Sequence, residues 1–208
     1  MNDTHVEQDV SGGRVLKAQG DQRRRSLVVA AYHLIAEKGF EQLRTREVAA
    51  RVGVNIATLH YYFASKEVLI RSVVDYLLEL FRTARVPMQV QEDTTPIGQI
   101  REMFLTIEYR LREMPEMFIV LSELVLRTLR DASIRQSLAK LDDSWQTYLK
   151  QIITDGLQQG VFRVDLDPDS TATELIILLK GVTYHYITGS RTIEFDRILK
   201  DVERLLMR

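Results

Sequence analysis

The chain has 208 residues, 45% of them hydrophobic, a net charge of -1 and no cysteine. That is apolar material enough for one domain or two small ones, and it excludes both a disulfide framework and a cysteine-ligated zinc site. The N-terminus MNDTHVEQDV is polar and acidic where a signal peptide needs a basic start and an apolar run, and no later segment has membrane length, so a cytoplasmic chain with no membrane partner is expected.

Residues 1–20, with Ser11, Gly12 and Gly13 and few large apolar groups, read as a flexible arm. With Asp21 as N-cap, Leu27, Ala30, Ala31, Leu34 and Ile35 recur at helical spacing until Gly39 stops the helix. Thr45 is placed to cap a short second helix ending near Gly53, and Asn55 to cap a third. Ser65 caps a long fourth, reaching about Ala84, whose apolar face runs Leu69, Val73, Tyr76, Leu77, Leu80.

After a polar break at 85–94, Thr95 and Pro96 start a fifth helix that Pro115 ends. The following MFIVLSELVLRTL is apolar on nearly every side, which predicts the most buried helix of the body. Ser133 opens a seventh helix, closing at Gly160, and Asp167 with Pro168 opens an eighth, to about Gly189. A ninth carries Phe195, Ile198, Leu199, Val202, Leu205 and Leu206. No strand alternation and no repeat appears, so the fold class is all-α with about nine helices.

Charge is unevenly placed. Residues 14–66 hold ten Lys or Arg against four acids, while the other 155 residues carry 18 basic and 25 acidic side chains. A basic head on an acidic body is the asymmetry expected when only one part meets phosphate.

Within that head, Ala49, Gly53 and Leu59 have the spacing of a helix-turn-helix: a small residue where helices cross, a glycine for the turn, an apolar residue to lock the second helix. Val54 and Phe63 join the same core. The outward face of the third helix then presents Ile56, Ala57, Thr58, His60 and Tyr61. Small side chains at its N-terminal end allow close approach to base edges, and Ile56, Ala57 and the Thr58 methyl suit thymine methyls. Taken singly, each residue has a plainer reading: Ala, Gly, Leu spacing is ordinary packing, and Arg46 and Lys66 are ordinary surface charges. The set carries the inference.

As a set it resembles the tetracycline-repressor (TetR) family of bacterial regulators. The matching segments are AEKGF at 36–40, Thr45 with Val48 and Ala49, Gly53-Val54-Asn55, Ala57-Thr58-Leu59-His60, Tyr62-Phe63 and Ser65-Lys66-Glu67. GVFRVDLDPD also looks like the family's lead into its eighth helix. The resemblance implies a flexible arm at 1–20, a three-helix DNA-binding domain at 21–66, and a ligand-binding and dimerisation domain at 67–208. It implies a homodimer on an inverted-repeat double-stranded DNA operator, released by a small-molecule effector. Carried over by position, Arg46, Ile56, Ala57 and Thr58 are candidates for base contact, and Thr45, His60, Tyr62 and Lys66 for phosphate. Tyr61 serves either the DNA backbone or the core. His60 stands where the family commonly has Tyr, and Asn55 where it commonly has Ser.

In the body, Met103, Tyr109, Met117, Phe118, Trp145, Tyr148 and His185 are candidates to line a cavity for an apolar or aromatic effector, because Met and aromatics adapt to varied ligands. Ordinary core is the competing reading for each. Gly181, inside the eighth helix, suggests a second helix passing close by, and the stripe Phe195, Leu199, Val202, Leu206 is expected to exceed what an intramolecular neighbour covers; together they predict a four-helix dimer interface.

The four histidines are scattered, and no HExxH, phosphate loop or nucleophile elbow is present, so no catalytic residue, metal or cofactor is expected. The expectation is a ligand-responsive repressor, with an activator or a DNA-acting enzyme as the alternatives.

Overall fold

A computed structural model describes the backbone at residues 6–83, 93–189 and 193–207, with side chains from Lys17 onward. The described residues form nine helices and no strand, with one isolated antiparallel bridge between Phe162 and Met207. They divide into two compact units, 1–79 and 80–208.

The first unit contains α1 (Val6–Lys38), α2 (Thr45–Val52), α3 (Ile56–Tyr62) and most of α4 (Lys66–Thr83). Its division from the second unit falls inside α4, later than the expected boundary after residue 66. Leu27, Ala31, Leu34 and Ile35 of α1 are buried along with Phe40, Leu43, Val48, Leu59, Phe63, Leu69, Val73 and Leu77. At about 1.5–3 kcal/mol for each large side chain, this apolar core is what holds three short or medium helices that would be marginal alone.

Three expectations need correction here. α1 starts at Val6, so Asp21 lies within the helix and residues 6–20, expected as a flexible arm, are helical. α2 is capped at Arg44 without a side-chain bond, and Thr45 is its first residue: the Arg44 carbonyl accepts from Glu47 N–H at 3.0 Å and Val48 N–H at 3.1 Å. In the second unit, the seventh helix is capped two residues earlier than expected, by Asp131, whose carboxylate accepts from the N–H groups of Ser133 (2.9 Å) and Ile134 (3.2 Å). The expected polar break at 85–94 and the end of the fourth helix at Ala84 fall mostly outside the described residues.

In the second unit, α5 (Pro96–Glu113) packs against α6 (Pro115–Arg127), α7 (Ala132–Gln158), α8 (Pro168–Ile187) and α9 (Phe195–Leu206), and α7 packs along α8. Thr95 caps α5 by accepting from Gly98 N–H at 3.1 Å, and Asp167 caps α8 by accepting from Ser170 N–H at 2.8 Å, both ahead of a proline at the first helical position. Gly156 has a packing role: a Cβ there would lie 2.1 Å from the buried Phe162 ring.

α6 is not the most buried helix. Met117, Phe118, Val120 and Leu124 face α5, α7 and α8, but Ile119, Val125 and Leu126 are exposed, because helices cover only one of its sides. The α9 stripe is corrected in the opposite direction. Phe195, Leu199, Val202 and Leu206 are buried by the chain's own helices, α5 among them, and Arg101 of α5 clamps the contact with bonds of 3.0 and 2.6 Å to Glu203. The stripe has its intramolecular partner.

Candidate nucleic-acid interface and effector region

The turn between α2 and α3 is made by Gly53, whose φ of 72° lies in the left-handed region that side-chain-bearing residues avoid. It lets Val54 N–H return to the Ala49 carbonyl at 3.0 Å, closing α2 while redirecting the chain. Ala49 is buried, so the two helices meet over a methyl group. Asn55 then starts α3: its Oδ1 accepts from Thr58 N–H at 2.8 Å and from the Thr58 hydroxyl at 2.9 Å.

α3 therefore has two unlike faces. Leu59 and the following Phe63 are fully buried, while Asn55, Ala57, His60 and Tyr61 are exposed and Ile56 and Thr58 half-buried. Tyr61 is 83% exposed, which removes it from the core and leaves the outward role. Its ring meets that of Tyr62 edge to face at 5.1 Å, and Tyr62 itself is half-buried. Arg46 is exposed on α2 and Thr45 half-buried beside it. The ten DNA candidates, Asn55 at the start of the recognition helix being the tenth carried over by the resemblance, thus lie on α2, on α3 with its cap, and at the first residue of α4.

Lys66 is more constrained than an ordinary surface lysine. Half-buried, its Nζ donates to the Phe40 carbonyl at 3.4 Å and ties the start of α4 to the loop after α1. At the same helix end Ser65 Oγ accepts from Val68 N–H at 3.3 Å, and Ser65 in turn holds the Glu67 carboxyl below its ordinary value.

Much of the basic surplus in this unit is spent on structure. Arg24 stacks on the Phe63 ring at 5.2 Å and donates to Ser72 at 3.0 Å; Arg25 lies over Tyr76 at 5.8 Å and 3.7 Å from Glu79. Lys38 pairs with Glu47, and Arg51 with Glu37 at 2.8 Å, two bridges from α1 to α2. Counting charge along the sequence misses this division of labour, since cation–π partners far apart in sequence leave no local signature.

In the second unit the effector candidates split. Met103, Met117 and Phe118 are buried, and Tyr109 and Trp145 half-buried. Phe118 meets Phe81 edge to face at 5.7 Å. Tyr148 is 47% exposed; burial of its other half and then the Glu102 carboxylate raise its phenol above the ordinary value. His185 is exposed on α8 beside Tyr184, so it does not face the interior as expected. The residue that pattern reading overlooks is Arg110. Only 7% exposed, it follows Met103 and Ile107 along the buried face of α5, its guanidinium 6.0 Å from the Phe81 ring, and burial lowers its pKa. A charge at an apolar helix position was the available signal.

The four buried α9 residues offer no surface to a second chain. Gly181 is exposed, with nothing among the described residues within 4 Å of where a Cβ would sit. It is flanked on α8 by Ile177 and Tyr184, 63% and 67% exposed. Among the described residues, no helix is long and apolar enough to cross a membrane.

Comparison with known proteins agrees with this geometry. Residues 27–73 match the family model described as bacterial regulatory proteins, tetR family, and residues 128–200 match that of the tetracyclin repressor-like C-terminal domain. The chain is 26% identical over 176 residues to the HTH-type transcriptional repressor NicS of Pseudomonas putida, covering 84% of this chain and 80% of that one. It is 28% identical over 167 residues to the nucleoid occlusion factor SlmA of Marinomonas sp., covering 79% and 83%. The crystal structure of AibR in complex with isovaleryl coenzyme A and operator DNA has the same fold, with a TM-score of 0.64 at 22% identity over 89% of this chain and 98% of that one. With one family model on the helix-turn-helix and a second on the helical body, the chain belongs to the tetR family of bacterial regulatory proteins.

Proposed function

We propose that this protein is a repressor that binds an inverted-repeat operator as a homodimer and releases it when an apolar or aromatic small molecule enters the helical body. The observation that carries this reading is α3: a helix capped by Asn55, locked by Leu59 and Phe63, with Ile56, Ala57, Thr58, His60 and Tyr61 on its other side. Arg46, Ile56, Ala57 and Thr58 are assigned to base edges, and Thr45, His60, Tyr62 and Lys66 to phosphates, with Tyr61 on the backbone beside them. The chain acts by binding alone, without catalysis.

Release runs through α4, a single helix that begins next to the recognition helix and continues past the division between the two units. An effector releases DNA only if it prefers a conformation with the wrong half-site spacing, and a 100-fold loss of operator affinity needs about 2.7 kcal/mol of such preference. The names of NicS, a repressor, and of AibR, bound to both an acyl coenzyme A and operator DNA, support repression with effector control.

The likeness to a nucleoid occlusion factor favours a second reading, a DNA-binding protein whose role is not gene control. Selecting bound fragments from the organism's genome separates the two. Repression requires bound fragments upstream of genes and transcription that rises when the protein is deleted; sites scattered along the chromosome with unchanged transcription support the second reading.

A further inference from the structure

We propose that Arg110 is an anion anchor in the effector region, so that the effector is an acid, an apolar or aromatic body carrying one carboxylate or phosphate group; the proposal rests on the effector reading above and adds the chemical class. α5 carries three arginines. Arg101 and Arg112 reach the surface and meet Glu203 and Glu108 there, whereas Arg110 is 7% exposed, with its Nε out of reach of water. It follows Met103 and Ile107 at helical spacing, on the face that α5 buries. Burial lowers its pKa, yet a guanidinium keeps its proton inside a protein, so this core position is always charged. An apolar residue of similar size would cost less stability there, so the charge calls for a task.

The surroundings name the task. The guanidinium lies 6.0 Å from the Phe81 ring centre, Phe81 meets Phe118 edge to face at 5.7 Å, and Met117, next to Phe118 in sequence, is buried as well. An aromatic face attracts the cation, but it does not match the N–H groups along the rim of the guanidinium plane. A carboxylate or phosphate does match that rim, two oxygens taking two parallel N–H···O bonds. The rings and the thioether suit the apolar body of the same molecule. Phe81 is only half-buried, so solvent reaches the cluster at that ring.

The same ring supplies the coupling. Phe81 stands on α4, the helix through which release is proposed to run, and Phe81, Arg110 and Phe118 all lie in the second unit. An anion that draws the guanidinium towards itself loosens it from the Phe81 ring and so acts on α4 at the end opposite Lys66.

The test compares acids with neutral counterparts on the full-length protein: octanoate, 3-phenylpropionate and phenyl phosphate beside octanamide, 3-phenylpropanamide and phenol. Melting temperature and Trp145 emission report binding, and affinity for a duplex selected from genomic fragments reports release. At least one acid should raise the melting temperature and change the emission, while its counterpart at the same concentration does neither; which acids act tells carboxylate from phosphate. Arg110→Met should fold, bind the duplex and bind that acid about 10- to 100-fold more weakly, the worth of hydrogen bonds to a charged group. Arg110→Lys keeps the charge without the fork and should bind the acid with intermediate affinity. The proposal is overturned if no acid acts on the parent, if an acid and its counterpart act alike, or if Arg110→Met binds the acid as the parent does. The first two results need no variant, so they decide whether or not Arg110→Met folds. An acid that binds through Arg110 without changing duplex affinity supports the anchor and overturns the effector reading, and a parent that selects no fragment overturns repression while the acid comparison still decides the anchor.

Discussion

Asn55 holds Thr58 twice, through the backbone N–H and through the side-chain hydroxyl, both on the same carboxamide oxygen. The hydroxyl proton is committed, so in the proposed base contact Thr58 would present only an acceptor and a methyl group. Thr58 then suits an amino group of adenine or cytosine beside a thymine methyl, and it rejects positions that need a donor. Asn55→Ala should lower stability to urea by about 1 kcal/mol through removal of the cap and blur base preference at the Thr58 position. Asn55→Ser should keep the cap and most of the stability. If Asn55→Ala unfolds at the parent's urea midpoint, the double bond is not a stabilising feature.

Arg46 and Lys66 are expected to differ in kind. Arg46 is exposed, so Arg46→Ala should leave melting unchanged and cost about 1 to 3 kcal/mol at a single guanine. Lys66 also binds the Phe40 carbonyl, so Lys66→Ala should weaken binding to all sequences and lower the melting temperature as well. Binding-site selection on both variants checks this, and matching sequence profiles would count against the assignment.

Acid stability should depend on helix starts in the body. Asp93 is held below its ordinary 3.8 by Thr95, and Asp167 by Ser170, in both cases through hydrogen bonds to the ionised carboxylate; Asp165 is held there by Arg163. A depressed folded pKa contributes stability above the unfolded value, and that stability is lost as pH falls through the folded value. The melting temperature should therefore fall below about pH 4. Asp167→Asn retains a capping oxygen but does not titrate, so its melting curve should vary less over that range than the parent's. An equally steep decline in the variant would show that the cap does not set the acid limit.

Local chemistry explains what was readable beforehand. The turn at Gly53, the caps at Asn55, Ser65, Thr95 and Asp167, and the core positions Leu59 and Phe63 each depend on residues within a few positions, and each stands as expected. What failed depends on distant partners. Whether the α9 stripe faces a second chain or α5 is decided by a helix about 100 residues away, and its periodicity is the same in both cases. The open side of α6 and the outward turn of His185 are of the same kind. The first half of α1 is missed because it lacks an apolar stripe, the only long-range signal a helix carries.

An effector should reveal itself through Trp145, the sole tryptophan, which is half-buried on α7 with Tyr148 three residues on. Emission and operator affinity should change over the same concentration range, as linkage requires. Tyr148→Ala is the informative variant, because a half-exposed side chain can be removed with little loss of core. Phe118→Ala removes a fully buried ring and should cost about 3–5 kcal/mol of stability, which confounds any effect on binding. A screen of apolar metabolites in which nothing moves both signals would favour control by abundance alone.

The proposed dimer interface is tested at Gly181. Among the described residues nothing lies within 4 Å of its missing Cβ, and packing among them gives no reason for glycine there. An alanine in an exposed helix interior is worth about 0.8–1.0 kcal/mol more than glycine, so α8 carries a cost that close approach of another helix, in the proposed dimer, would offset. Ile177 and Tyr184, one turn to either side, supply the apolar surface such a helix would cover, and on α9 Leu205 is exposed while Phe195, Leu199, Val202 and Leu206 are buried within the chain. Gly181→Leu should hold the two copies of α8 apart, shift sedimentation towards monomer and weaken operator binding, because two half-sites no longer reinforce each other. Ile177→Glu should have the same effect by placing a charge in the contact. Gly181→Ala separates the alternatives: in a monomer it can only stabilise, whereas in a close helix pair it should loosen the dimer while raising the stability of the isolated chain. A parent that sediments as a monomer at micromolar concentration, or a Gly181→Leu variant that dimerises as tightly as the parent, would place the interface elsewhere.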